Sequence, residues 1–174
     1  RAGVFSPRGT DVSVALDLMT HDIDLVHTLD PAPVARVAAT AKSRAGSFSD
    51  EVQAILTLED GCRVSLFASR MGEARKRFMR VLYDDGEIEI DFLSRTLRNT
   101  TPHEISPAFF PSSDGKPGIA DDPLGVAIAS FADCVRAKRQ PLVSGAPARR
   151  ALETALMILK SAGSRPLRAE AAVA

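Results

Sequence analysis

EVQAILTLEDGCRVSLFASR, residues 51–70, has the pattern of two strands joined by a tight turn. Val52, Ala54, Leu56 and Leu58 alternate with Glu51, Gln53, Thr57 and Glu59, and only Ile55 falls out of phase. That period of two marks a strand with one face buried. Asp60-Gly61, and later Asp85-Gly86, are turn dipeptides that favour positive φ and join antiparallel neighbours. Working outward, strands are expected near residues 34–42, 50–59, 62–70, 76–84 and 87–98, with one more from residues 1–5. Together they make one open, mostly antiparallel β-sheet.

Helices are expected on both sides of this region. Upstream, Thr10 and Asp11 offer N-cap oxygens to a helix over residues 12–29, which Asp30-Pro31-Ala32-Pro33 stops. Downstream, residues 101–122 dissolve into Pro, Ser, Gly and Asp, with Phe109-Phe110 as the bulky pair expected to anchor a long loop. Asp121 or Asp122 caps a second helix with Pro123 in its first turn, and Leu124, Ile128, Phe131 and Val135 repeat along it as far as Gln140-Pro141. Ser144 caps a third, whose apolar stripe is Ala148, Leu152, Leu156 and Leu159 and which Gly163 and Pro166 end. Strands in the middle and helices at both ends predict an α+β fold, with helices packed on one sheet face and the other left for a partner.

The 174 residues suit a single domain, residues 1–174. Lys+Arg and Asp+Glu are both 22, a net charge of +0, so no overall basic field exists to bind nucleic acid. No apolar run approaches the ~20 residues of a membrane span. Cys62 and Cys134 lack ligand spacing, which points to a reducing, cytoplasmic setting rather than a disulfide scaffold or zinc site. The chain begins at Arg1 rather than Met, so it is expected to be a piece of a longer protein.

The first helix carries the chemistry. At about 100° per residue from Asp17, His21 falls near 40° and Asp24 near −20°, so the three share a stripe with Thr28 at the rim of a broad apolar face. A carboxylate one turn before a histidine favours the protonated imidazole and suits a general base. On spacing alone, such a pair is more often a solvated i,i+4 contact. Asp22, near about 140°, points into the apolar side and needs a charged or hydrogen-bonding partner there. His27 falls at about −80°, so no metal site is expected from Asp17, His21, Asp24 and His27. Arg70, with Arg75, Lys76 and Arg77, forms a basic cluster suited to a substrate phosphate or to a solvated strand end. Asp24, Arg70 and Arg75 are therefore the candidates for substrate contact.

The string from Asp11 through Asp17, His21 and Asp24 to Leu25 closely resembles the catalytic-helix motif in the C-terminal domain of the Gfo/Idh/MocA oxidoreductases. Arg75–Phe92 is similar to that family's late strand pair, and Pro123–Ser161 to its closing helix pair; residues 99–122 match least. The resemblance implies the glyceraldehyde-3-phosphate dehydrogenase-like C-terminal fold. It implies that His21 takes a hydroxyl proton while hydride leaves the same carbon for the nicotinamide, and that Asp17 positions substrate and histidine. It also implies NAD or NADP bound mainly by an N-terminal Rossmann domain absent from this chain, where none of the 11 glycines occurs as G-x-G. Lys116-Pro117 follows Gly115 and reads as a turn, not as the family's Glu-Lys-Pro. Thr20 stands where relatives carry an apolar residue and is expected to widen the polar stripe.

The implied substrate is a sugar, polyol or nucleotide sugar, the last because the string from Leu18 to Asp24 is similar to relatives acting on UDP-N-acetylglucosamine. The expected partners are the chain's own Rossmann domain and further copies, as a dimer or tetramer through the bare sheet face, with the fragment alone inactive. The alternative is a non-catalytic ligand-sensing or dimerisation scaffold of the same fold, and another is NAD-assisted glycoside cleavage. The Asp17/His21 pair favours an enzyme.

Overall fold

The computed structural model describes residues 1–6, 10–44, 46, 48–105, 123–141 and 144–163. They form two compact units, one of Arg1–Lys76 with the chain from Gly145 onward, the other Arg77–Ser144. Both are antiparallel sheet with helix, so the α+β expectation holds.

In the first unit, β1 (Val34–Lys42), β2 (Glu51–Leu58) and β3 (Arg63–Ser69) lie side by side in that order. The register pairs Val37 with Leu56, Ala39 with Ala54, and Val52 with Ala68. This puts Val52, Ala54, Leu56, Leu58, Leu66 and Ala68 on one buried face. Against it pack α1 (Thr20–Leu29) with the helical turn before it, and α3 (Gly145–Ser161), which bring Val14, Met19, Ile23, Val26, Ala151, Ala155, Ile158 and Leu159 into the same core. Ile55, the residue out of phase, and Phe67 are 43% and 40% exposed on the opposite face. In the β2–β3 turn, Gly61 has φ +95°, and the Asp60 carboxylate accepts the Cys62 N–H at 2.9 Å.

The strands divide into two three-stranded sheets rather than one. Residues 1–5 supply no strand; Ala2 alone bridges Ser69 and Lys76. Ser69 N–H donates to the Arg1 carbonyl and Gly3 N–H to the Ser69 carbonyl, so the chain start occupies the end of β3 that a following strand would otherwise use.

The second unit contains β4 (Phe78–Tyr83), β5 (Gly86–Asp91), β6 (Thr96–Asn99) and α2 (Pro123–Arg136). The expected strand 87–98 is a hairpin. Asp91 accepts the N–H groups of Leu93 and Ser94 at 2.8 and 3.2 Å, and Arg95 adopts φ 58° without a glycine to announce it. Gly86 is required at the β4–β5 turn, because a Cβ there would lie 2.8 Å from the Thr100 backbone. The expected caps Asp121 and Asp122, the Phe109-Phe110 anchor, Lys116-Pro117 and Pro166 lie outside the described residues. The α2 stripe of Leu124, Ile128, Phe131 and Val135 is exposed, while Cys134 is buried. Among the described residues, no helix is long and apolar enough to cross a membrane.

The third helix begins directly after Ser144, as expected, and Leu159 of its expected stripe is buried, but the rest of the buried face differs. Ala151, Thr154, Ala155, Ile158 and Leu159 are buried, whereas Ala148, Leu152 and Leu156 are exposed. Two polar contacts fix this roll. Arg150 donates to the carbonyls of Pro31 and Ala32 at 2.7 and 2.8 Å, and the Thr154 hydroxyl lies 2.9 Å from His27 Nε2. With its alanines inward, α3 also approaches β1 closely, and the Ser161 hydroxyl reaches the Val37 carbonyl at 3.2 Å. Ile158→Ala, at a position 0% exposed, is expected to cost about 2–5 kcal/mol in urea denaturation. Leu156→Ala, 39% exposed, is expected to cost about 0.5 kcal/mol, and equal losses would reverse this assignment.

Candidate active site

The first helix does not start where Thr10 and Asp11 place it. Its first turn is closed by Ser13, whose hydroxyl accepts the Ala15 N–H at 3.3 Å and whose carbonyl accepts those of Leu16 and Asp17. Ala15–Met19 then forms a π-turn, with Thr20 N–H reaching back to the Ala15 carbonyl, before α1 begins. Each residue of a π-turn advances less around the axis than in an α-helix, so the uniform phase assumed from the sequence fails across Asp17. Such turns are frequent at functional sites.

The wider turn leaves backbone carbonyls to be satisfied by side chains. Thr20 Oγ1 donates to the Leu16 carbonyl at 2.8 Å, and the Arg1 guanidinium donates to the Leu18 carbonyl at 3.2 Å. Thr20 therefore faces its own helix rather than widening the polar stripe. Arg1 also pairs with Asp22 at 3.4 Å, supplying the charged partner that Asp22 needs on the apolar side.

Asp17 and His21 both lie on the exposed side of this segment, with Asp24 half-buried one turn on. Among the described residues, Asp17 and His21 are not hydrogen-bonded to each other. The Asp17 carboxylate, 44% exposed, instead faces Arg70 at 4.0 Å. Arg70 is buried, and its guanidinium also donates to the Val12 carbonyl at 2.9 Å and lies 3.7 Å from the buried Asp50 carboxylate. The basic cluster of the sequence is not one patch. Arg75 and Lys76 are exposed, Arg70 is committed to the chain's own groups, and Arg77, in the other unit, lies over the Phe92 ring at 4.8 Å.

His27 lies on the far side of α1, joined to Thr154 through Nε2, while its Nδ1 is buried without a partner. Burial, and after it the Arg150 guanidinium, holds its pKa below the usual 6.5, against the opposing pull of Asp24 and Asp30. His27 is thus a structural histidine whose neutral form is favoured by its burial. Among the described residues, no three His, Cys, Asp or Glu side chains gather as a metal site.

The described residues do not fit a dinucleotide pyrophosphate. The amides opening the first helix are spent on Ser13, and the sheets are antiparallel, without the glycine-rich strand-turn-helix that cradles such a group.

Comparison with known proteins adds to this geometry. The GFO/IDH/MocA C-terminal domain matches residues 5–89, a span that contains Asp17, His21 and Arg70. Residues 5–89 of this chain are thus similar to that domain. The UDP-N-acetylglucosamine 3-dehydrogenase of Acidithiobacillus ferrooxidans is 31% identical over 172 residues, covering 91% of this chain and 51% of that enzyme. Its solved structure superposes with a TM-score of 0.75 at 29% identity, over 92% of this chain and 51% of that one. Two further structures share the fold at lower identity. An aldose-aldose oxidoreductase from Caulobacter crescentus has TM-score 0.70 and 14% identity, covering 93% and 51% of the two chains. A dehydrogenase from Bordetella pertussis, solved with NADH and UDP-GlcNAcA, has TM-score 0.66 and 18% identity, covering 92% and 47%. The chain spans about half the length of these relatives.

Within the span matched by the GFO/IDH/MocA domain, the sequence reading missed Ser13 and Asp50, and it gave Thr20 the wrong direction, since its hydroxyl turns back to the Leu16 carbonyl. The state of His27 also sets a pH dependence. Between its lowered native pKa and 6.5 the unfolded chain binds more protons than the native one. Its contribution to stability is therefore complete above pH 6.5 and declines as the pH falls through the native value. Urea midpoints measured across this range are expected to fall with acidity in the parent and less steeply in His27→Gln; identical slopes would contradict the role given to His27.

Proposed function

We propose that this chain is the substrate-binding, base-bearing half of an NAD(P)-dependent dehydrogenase that oxidises a secondary hydroxyl of a sugar, polyol or nucleotide sugar. The observation that carries this reading is the placement of Asp17 and His21 on the exposed side of the π-turn and α1, inside the span matched by the GFO/IDH/MocA domain. His21 accepts the hydroxyl proton of the substrate, and Asp17 orients substrate and imidazole. Asp24, half-buried on the same helix, and Arg75, exposed beyond β3, are the remaining candidates for substrate contact. The cofactor is held by the portion of the relatives that this chain does not span, since its own described residues offer no pyrophosphate cradle. Similarity to a UDP-N-acetylglucosamine 3-dehydrogenase supports a nucleotide sugar within the wider class.

In the full-length protein, assayed with UDP-N-acetylglucosamine and either NAD or NADP, His21→Ala is expected to lower turnover by about 10²–10⁴-fold. Dinucleotide affinity and thermal midpoint should stay close to the parent's. Equal turnover in variant and parent would overturn the assignment, and a parent inactive on a panel of sugars and nucleotide sugars would favour the scaffold reading.

The outer face of the first sheet, with Ile55 and Phe67 exposed beside Ala38, is the proposed surface for self-association. Sedimentation of the full-length protein is expected to give a dimer or tetramer, shifted toward monomer by Phe67→Glu. A parent that stays monomeric at high concentration would remove this part of the proposal.

A further inference from the structure

We propose that Arg70 is a positioning residue for Asp17, acting through the π-turn rather than on substrate. The inference rests on the dehydrogenase reading for its functional consequence, but its structural half stands on the ion cluster alone. Asp50 is a fixed base at the start of the β2 segment: its carbonyl accepts the Arg70 N–H at 2.9 Å, and its carboxylate accepts the Arg44 N–H at 2.8 Å. From the end of β3, the Arg70 side chain, 7% exposed, runs past the Asp50 carboxylate at 3.7 Å to the Val12 carbonyl at 2.9 Å and the Asp17 carboxylate at 4.0 Å.

Three groups from separate segments thus converge on one planar cation. A guanidinium can serve several acceptors in fixed directions, which a lysine ammonium on a flexible stem does not reproduce. Burial raises the stakes, because a desolvated cation is strongly destabilising when it loses its partners. The arrangement leaves the outward side of Asp17 open to solvent while its other side is held from the sheet. A substrate-binding role would need the opposite, an arginine whose donors face the cleft.

The test uses the full-length protein with UDP-N-acetylglucosamine and NAD or NADP. Arg70→Met is expected to lower kcat by about 10–100-fold, the effect of a displaced reacting group, with KM for the sugar changed by no more than about twofold. Arg70→Lys should fall in between. The double variant Asp17→Asn with Arg70→Met should lose no more kcat than Asp17→Asn alone, because Arg70 acts through Asp17. A rise in KM at unchanged kcat would make Arg70 a substrate ligand, and additive losses would place its action elsewhere; both overturn the proposal.

Hydrogen exchange gives a readout that needs no turnover. In Arg70→Met, the amides of residues 15–20 should exchange at least about tenfold faster while those of α3 keep their protection. Asp50→Asn, which keeps the shape but loosens the base, should do the same more weakly and serves if Arg70→Met does not fold. Unchanged exchange in both variants overturns the proposal. A parent without turnover but with this exchange pattern would refute the dehydrogenase reading alone, leaving Arg70 as the residue that sets Asp17.

Discussion

A buried guanidinium has to be met by acceptors, and where those acceptors lie dictates which segments are tied together. Arg70 follows β3; it donates to the Val12 carbonyl on the segment entering the first helix and makes longer ionic contacts with Asp17 on the π-turn and with Asp50 just before β2. One side chain therefore joins the sheet to the helix that carries Asp17 and His21. It acts beside the Val14 N–H bond to the Ser49 carbonyl, the Arg1 contacts to Leu18 and Asp22, and the His27–Thr154 bond, which together oppose sliding of the helix's apolar face along the sheet.

The π-turn is the second consequence of the same local economy. Widening the helix by one residue per turn displaces backbone carbonyls, and these are taken by Thr20 and Arg1 rather than left to water. The outcome is a segment with Met19 and Ile23 wholly buried, Asp17 and His21 outward, and Asp22 compensated by Arg1. A uniform α-helix would also have put Asp17 and His21 on one stripe; what the π-turn adds is the pair of carbonyls taken by Thr20 and Arg1.

Much of the fold was legible from local patterns. β1 runs from Val34 to Lys42, as read from the sequence, and β2 and β3 match to within a residue or so, because alternation of small apolar and polar side chains has one structural meaning when one face is buried. The Asp60-Gly61 and Asp85-Gly86 turns form with positive φ at both glycines. The 87–98 stretch was misread because its turn is built by the Asp91 carboxylate and by Arg95 in the left-handed region, neither of which carries the usual glycine signal. The face of α3 was misread for a different reason. Leu152 and Leu156 are the more hydrophobic choice, yet Arg150 and Thr154 have partners on the first helix and its exit loop, and those bonds turn the alanines inward.

The sequence by itself determined the fold class, the antiparallel pairing, the helix bearing Asp17 and His21, and the need of Asp22 for a partner. All of these follow from period, turn chemistry and the cost of an unpaired charge, which act over a few residues. Only the tertiary structure decided that Asp17 faces Arg70, that His27 is a strut against Thr154, and that Ala2 occupies the end of β3. Each is a contact between groups far apart in the chain, set by the convergence of three or more segments. Local periodicity does not encode it, because the same residues would fit their own elements equally well in other rolls and registers.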